Sequence, residues 1–399
     1  MKKILIALAL SAFSIATAQA RPPDDSGGGF VEDSHYADSL TPQQRHQIEL
    51  ELARSAQELT RAGKLGQSTE SLDPASLGWP LRSRPGFEFD DYHGISNFVD
   101  LDSNYPNQLL DYMCNERTYD LPSGYNHAGI DYYLWPFSWR MMDQEMIEIV
   151  AAAPGTILAK HDGNYDRNCS LGGTNWNAVY VQHADGSVAW YGHMKTSSLT
   201  SKNVGDSVAQ GDYLGLVGSS GSSTGPHLHF ELRSSNQVGA TIYEPHAGAC
   251  RAGDSLWQDQ RPYYDTALNG IAVHDAQPSL AVDCPNPGQE AAAVTDQIPL
   301  GDPVWFAIYL RDALDTQPIV NLTLYRPDGQ VYSQWSFDFN PGTPTHYSGA
   351  WWWWTWNSLG SYPALEGEWT FEVSMGSQTL VRTFVHGEQA TIFDDRFEQ

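Results

Sequence analysis

From residue 86 to about 265 the chain runs in short apolar stretches of alternating pattern divided by glycine, and this limits most strongly what it can fold into. Alternation with period two marks strands that bury one face. The candidate strands are Gly155–Lys160, Ala178–His183, Val188–His193, Tyr213–Val217 and His227–Arg233. The connection His183-Ala184-Asp185-Gly186-Ser187 suits a hairpin, because Asp-Gly supplies the positive φ of a tight turn. Gly205-Asp206 and Gly211-Asp212 punctuate the next stretch in the same way. The region reads as mainly antiparallel β.

A second β region follows. Residues 266–298, with Pro278, Pro285 and Pro287 and little periodicity, read as a linker. Beyond them, residues 299–390 carry strand patterns at Val304–Leu310, Ile319–Tyr325, Val331–Phe337, Trp351–Trp356 and Glu368–Val373, then a hairpin over Ser374–Phe384. Turns such as Pro327-Asp328-Gly329 recur at the spacing of a β-sandwich. On the N-terminal side, residues 21–85 read as a linker or pro-segment with one short helix. Its lead-in, 21–40, is rich in Gly, Asp, Ser and Pro. Thr41 then offers an N-cap and Pro42 a first helical residue, Ile48, Leu52 and Leu59 recur at near-helical spacing, and Gly63 is a stop.

Residues 1–20 have the form of a secretory signal, with Lys2 and Lys3 ahead of an apolar run and Ala18-Gln19-Ala20 as the cleavage pattern. A secreted or periplasmic protein is expected. That apolar run is shorter than the ~20 residues a bilayer span needs, and no other stretch approaches it, so no membrane span is expected in the mature protein. The chain holds 48 acidic against 22 basic residues, a formal charge of −26. Such a surface repels phosphate, which argues against a nucleic-acid partner. Four cysteines, Cys114, Cys169, Cys250 and Cys284, suit disulfides in an exported chain. Sequential pairing, Cys114 with Cys169 and Cys250 with Cys284, is expected. None stands in a CxxC spacing, which disfavours a cysteine zinc site. Oligomeric state is not readable.

The chemistry concentrates in three places. In Gly225-Pro226-His227-Leu228-His229-Phe230-Glu231-Leu232 two histidines stand at i and i+2 on a strand. They share one face, roughly 6–7 Å apart at their Cα atoms. An H-x-H pair of this kind is as readily a half-buried strand with incidental histidines. His127-Ala128-Gly129-Ile130-Asp131 sets a histidine and a carboxylate in phase, a pair suited to zinc but commoner as surface groups. Trp190-Tyr191-Gly192-His193-Met194 ends a strand with a third histidine position. The remaining histidines sit in no ligand spacing, and His183 beside its turn reads as structural.

Taken in order, His127-x-x-x-Asp131, Tyr191-Gly192-His193 and Gly225-Pro226-His227-Leu228-His229-Phe230-Glu231 resemble the signature of the lysostaphin-type (LytM- and LasA-like) zinc metallopeptidases of peptidoglycan. The resemblance covers roughly residues 120–235 and implies a lysostaphin-like peptidase domain at 86–265. It implies that His127, Asp131 and His229 bind one Zn2+, and that His193 and His227 are catalytic. Tyr191, within the same motif, is assigned to substrate binding. Three protein ligands leave a tetrahedral ion one open position, as a catalytic zinc site requires. The implied activity is that of a zinc endopeptidase cutting stem peptides or cross-bridges of peptidoglycan. The alternatives are a catalytically silent wall-binding or hydrolase-activating module, and a broader extracellular protease of Gly-rich proteins. The negative charge means that affinity for an anionic wall would rest on short-range contacts.

Two stretches lie outside this pattern. Trp135 to Glu148, rich in aromatic and charged residues, is expected to wall the substrate groove. In Trp351–Trp356, alternate side chains would split between two faces, one set filling the sandwich and the other exposed or packed on the peptidase domain. Packing is the preferred reading over glycan binding.

Overall fold

The computed structural model describes residues 21–31, 37–65, 75–172, 174–280, 290–314, 316–339, 346–360 and 365–388. The signal sequence expected at 1–20 and Cys284 lie outside these. The fold is mainly β, with antiparallel sheets and two helices among the described residues. No helix there is long and apolar enough to cross a membrane.

The central sheet carries the alternating region. Its strands run in the order Ser207–Val208, Gly155–His161, Ala178–Gln182, Val188–Gly192, His227–Arg233, Ile130–Leu134 and His93–Asn97, each antiparallel to the next. One face buries Val179, Val181, Ala189, Leu228, Phe230 and Leu232 in the main core. The other face is covered in part by the helix Pro42–Arg61. That helix forms where the sequence predicts it. Thr41 and Gln44 close a reciprocal capping box, and Ile48, Leu52, Ala56 and Leu59 pack on Leu158, Tyr180 and Trp190.

The C-terminal part is a sandwich of two sheets. One has the order Asp25–Val31, His346–Trp356, Val304–Leu314, Ala267–His274, and the other Gln297–Ile298, Gln378–His386, Gly367–Met375, Val320–Tyr325, Val331–Phe337. Two expected boundaries need correction. Ala267–His274 is a buried strand paired along Val304–Leu314, so residues 266–298 are not simply a linker. The lead-in 21–40 is likewise not simply a linker, because Asp25–Val31 is the edge strand of this sheet. Both strands lack helical or alternating signals strong enough to be seen alone, and long-range pairing fixes them.

The tryptophan run divides as alternation demands. Trp354 and Trp356, with Trp352 packed beside them, belong to the sandwich core, whereas Trp353, with Trp351 beside it, joins the core of the peptidase region. Ala307 and Tyr309 face the same way, so one apolar core runs through the junction. Trp135, Phe137 and Met141 are buried in it, and the rings of Trp135 and Phe137 meet Tyr309 with centroids 6.3 and 5.4 Å apart. The aromatic start of the stretch expected to wall a groove therefore packs against the sandwich. Its apolar side chains are worth more removed from water than exposed.

The disulfide expectation is also corrected. Cys114 bonds to Cys250, and Cys169 is disulfide-bonded as well. The segment after the central sheet folds back, stacking His246 on Tyr112 and Tyr263 on Phe98. The Cys250 amide then donates to the Tyr112 carbonyl, which delivers its sulfur to Cys114.

Candidate metal centre

Three neighbouring strands set the register of the site. His227–Arg233 lies between Ile130–Leu134 and Val188–Gly192, with His229 opposite Asp131 on one side and Gly192 on the other. Because Leu228, Phe230 and Leu232 enter the core, alternation sends His227, His229 and Glu231 to the opposite face. His127 stands just ahead of one flanking strand and His193 just after the other. His193 has φ of 59°, which costs roughly 1–3 kcal/mol in a non-glycine residue and persists where the surroundings fix it.

His127, Asp131, His193, His227 and His229 are all buried in this one place. The His127 Nδ1–H donates to the Phe98 carbonyl at 2.7 Å, so its Nε2 lone pair faces Asp131 Oδ2 at 3.1 Å. His229 turns Nδ1 toward Asp131 Oδ1, also at 3.1 Å. The His227 Nδ1–H donates to the Gly225 carbonyl at 2.8 Å and leaves Nε2 facing the centre. His193 Nδ1 donates to the Ser220 carbonyl at 2.6 Å, and the His193 and His227 rings lie 4.4 Å apart.

A second carboxylate enters from far away in the chain. Asp38, 1% exposed, places Oδ2 at 2.8 Å from His193 Nε2 and 2.7 Å from His229 Nδ1. Its Oδ1 accepts from the Tyr119 hydroxyl at 2.7 Å and the Tyr125 hydroxyl at 2.6 Å. Sequence reasoning missed all three. The two tyrosines lie just ahead of the first motif, which is a usable signal; Asp38 has none, because only folding brings it near.

These residues fit a divalent metal ion. One ligand atom from each of Asp38, His127, Asp131 and His229 lies within 4.8 Å of the others. The Nε2 atoms of His127 and His227 are buried without a hydrogen-bond partner, an expensive state for a polar atom unless a cation or substrate uses it. Imidazole nitrogen with carboxylate oxygen is the borderline donor set that such ions take.

The charges around the centre are tightly matched. Burial alone would lower His229, but Asp38, Asp131 and Glu231 outweigh it and hold the ring well above the usual imidazole range. His227 has no such surplus; burial, reinforced by His193, brings it down to about 4. Burial would raise Glu231, yet Arg45 and Arg233 bring it down to about 2. Arg45 belongs to the N-terminal helix and reaches Glu231 Oε1 at 2.7 Å, so that helix is bolted to the strand that carries both histidines.

Gly129 has to be a glycine. A Cβ there would stand 2.5 Å from His229 Nε2 and 2.7 Å from the Phe230 carbonyl oxygen. Gly129→Ala is expected to push His229 off line and weaken metal affinity by about 10–100-fold, the scale seen when a ligand loses its support. Competition with a chromogenic chelator measures this; an unchanged affinity would mean that the two strands can part freely.

One expected site residue is misplaced. Tyr191 does not line the centre. It pairs with Phe230, so it projects to the core face, where its ring meets Phe230 and its hydroxyl oxygen accepts from the Ala152 amide at 2.8 Å. Alternation along the strand, with Gly192 and then a turn at His193, separates it from its neighbours.

Residues 139–240 match the model of peptidase family M23. The chain carries an M23 peptidase domain. The matched span includes His193, His227 and His229, while His127 and Asp131 lie just before it. Over 112 residues the chain is 37% identical to the DD-carboxypeptidase/endopeptidase Mpg of Neisseria meningitidis, covering 28% of this chain and 21% of that one. It is 31% identical over 99 residues to the peptidoglycan DD-endopeptidase ShyC of Vibrio cholerae, 25% of this chain and 22% of that protein. With the glycyl-glycine endopeptidase ALE-1 of Staphylococcus capitis it shares 28% over 123 residues, 31% and 29% of the two chains. The chain thus spans about a fifth to three-tenths of the length of these relatives. The M23 likeness lies in the central sheet and its motifs, and the sandwich stands outside the matched span.

Proposed function

We propose that this protein is a secreted or periplasmic zinc endopeptidase that hydrolyses peptide bonds of peptidoglycan, through the M23 domain. The observation that carries the reading is the convergence of His127, Asp131, His193, His227 and His229 in one buried centre. His127 Nε2, an Asp131 oxygen and His229 Nδ1 would hold the ion. Zinc bound there would supply an activated water and polarise the scissile carbonyl.

The chain's own groups do the rest. His227 is fixed by its bond to the Gly225 carbonyl, and with its affinity for protons brought down to about 4 it is neutral near pH 7. Its Nε2 is therefore free to take a proton from the attacking water. His193, held by Ser220, is placed to donate to the developing oxyanion or to the leaving amine. Tyr119 and Tyr125 add hydroxyl donors on the far side of the Asp38 carboxylate. The relatives named as peptidoglycan and glycyl-glycine endopeptidases support this substrate class.

Because Asp38 lies within the centre, the test uses the Asp38→Ala chain beside the unaltered one. Each, loaded to about one zinc per chain as a three-ligand site demands, is incubated with purified peptidoglycan and the products are weighed by mass spectrometry. Scission of peptide bonds with intact glycan strands is expected, abolished by a chelator and restored by zinc. If neither chain cuts any muropeptide while fully loaded, the enzymatic reading fails.

A further inference from the structure

Asp38 stands in two groups of metal-ligating atoms at once. One is the group with His127, Asp131 and His229. The other is Asp38 with His193 and His227: one ligand atom from each lies within 4.8 Å of the others, and all three side chains are buried. Asp38 Oδ2 reaches toward both groups, 2.7 Å from His229 Nδ1 and 2.8 Å from His193 Nε2. The His193 and His227 rings lie 4.4 Å apart, centroid to centroid.

The second group is built as ligands are built. A histidine that binds a metal ordinarily gives its other ring N–H to a fixed acceptor, which sets the tautomer and the direction of the ring. His127 does this through the Phe98 carbonyl, and His193 and His227 repeat it through the carbonyls of Ser220 and Gly225. All three therefore turn Nε2 inward. His227 Nε2 is buried with no hydrogen-bond partner. A neutral His193, its one N–H committed to Ser220, presents a lone pair at Nε2 to the Asp38 carboxylate, so two acceptors face each other at 2.8 Å. A cation among these atoms satisfies the orphaned nitrogen and turns the opposition into attraction. The carboxylate is held ready for it, because Oδ1 takes the hydroxyls of Tyr119 and Tyr125 and leaves Oδ2 to the histidines. Asp131 Oδ1 stands 3.7 Å from His227 Nε2, so negative charge borders the position on two sides.

We infer that the centre takes two divalent ions, the second held by His193 Nε2, His227 Nε2 and Asp38 Oδ2 beside the one proposed at His127, Asp131 and His229. Two imidazoles and a carboxylate suit zinc at this second position as they do at the first. Ions in two-metal sites stand ~3.5–4 Å apart, and the carboxylate that both positions share offsets their repulsion. The second ion still fills after the first, because it binds against the charge already there. Once bound, it occupies the lone pairs with which His193 and His227 would move protons, so it silences turnover. That consequence rests on the proposed peptidase reading, whereas the number of ions does not.

The test is equilibrium dialysis of the full-length chain against buffered zinc, with the bound metal counted by elemental analysis. About one ion per chain is expected at low free zinc, as for a three-ligand site, and a second as free zinc rises. His193→Ala and His227→Ala are expected to keep the first ion, which reports that the centre is still folded. Each should weaken the second at least about 100-fold, beyond the 10–100-fold lost with a ligand's outer partner. With cobalt(II) in place of zinc, the paramagnetic resonance of the first ion is expected to be attenuated as the second fills, because ions sharing a carboxylate couple. Muropeptide turnover is expected to fall over the range of zinc in which the second ion binds. One ion per chain throughout would overturn the second site. So would a second ion that persists in both histidine variants, as zinc scattered over the acidic surface would. A second ion lost in both variants, with turnover unchanged as it fills, would overturn its silencing role. The same loss with no cutting by any chain, Asp38→Ala included, would leave the second site standing and sink the peptidase reading instead.

Discussion

His229→Ala is expected to lose the metal and all turnover above background, while His227→Ala keeps the metal and loses roughly 10²–10⁴ in kcat, the usual worth of a positioned proton acceptor. The contrast follows from neighbouring positions on one strand face. His229 directs Nδ1 at Asp131 and sits among Asp38, Asp131 and Glu231, so its removal takes away a donor and leaves buried carboxylates uncompensated. His227 makes no bond to either carboxylate; its Nε2 is 3.7 Å from Asp131 Oδ1 and is otherwise without a partner. Removing it empties a place in the centre without disturbing His127, Asp131 and His229. The comparison is made in whichever parent, unaltered or Asp38→Ala, cuts faster, with metal content and steady-state rates measured together. His229→Gln, which keeps bulk and a polar end, separates ligand loss from a folding defect. Full turnover by His227→Ala would take the proton-acceptor role away from that residue.

Asp312→Ala is expected to cost about 3–5 kcal/mol of stability, as breaking a buried ion pair on one side does. Asp312 and Arg117 are almost completely buried, and Arg117 Nη2 meets Asp312 Oδ1 at 2.5 Å. The same oxygen takes His346 Nε2 at 3.0 Å, and Oδ2 accepts from the Asp265 amide at 2.8 Å. One carboxylate thus ties the segment leading to the first motif, the chain between the two domains, and a sandwich strand. Its loss leaves the Arg117 guanidinium without its counter-charge, although the Ile95 and Tyr263 carbonyls still accept from it. Denaturant unfolding, followed by tryptophan fluorescence, should show the midpoint falling by that amount. A change below about 1 kcal/mol, the level of an exposed pair, would show that solvent reaches the pair readily.

Much of the centre could be read before folding because it is built from local periodicities. His227 and His229 share a face by alternation, and Glu231 follows them. The spacing of His127 and Asp131 puts one just ahead of a strand and the other at its start. Tyr191 shows the limit of the same rule. Tyr191 and His193 are two apart and would share a face by alternation, but the strand ends at Gly192 and the positive φ of His193 turns its side chain into the centre, a change that a motif read as a block does not show. The tryptophan run divided between two cores as alternation requires, yet which cores these were depended on the partner surfaces.

The chain alone therefore determined the hairpin strands of the two β regions, the capped helix and the ordered histidines and aspartate of the candidate centre, since each depends on residues close together in sequence, whereas Asp25–Val31 and Ala267–His274 were fixed by long-range pairing. Tertiary structure decided the Cys114–Cys250 bridge, the burial of Trp135 and Phe137 beneath the sandwich, and the arrival of Asp38 between two histidines. Those contacts join segments whose separation leaves no periodic trace. They are selected by what the assembled surfaces leave uncovered, in apolar area and in unmatched charge.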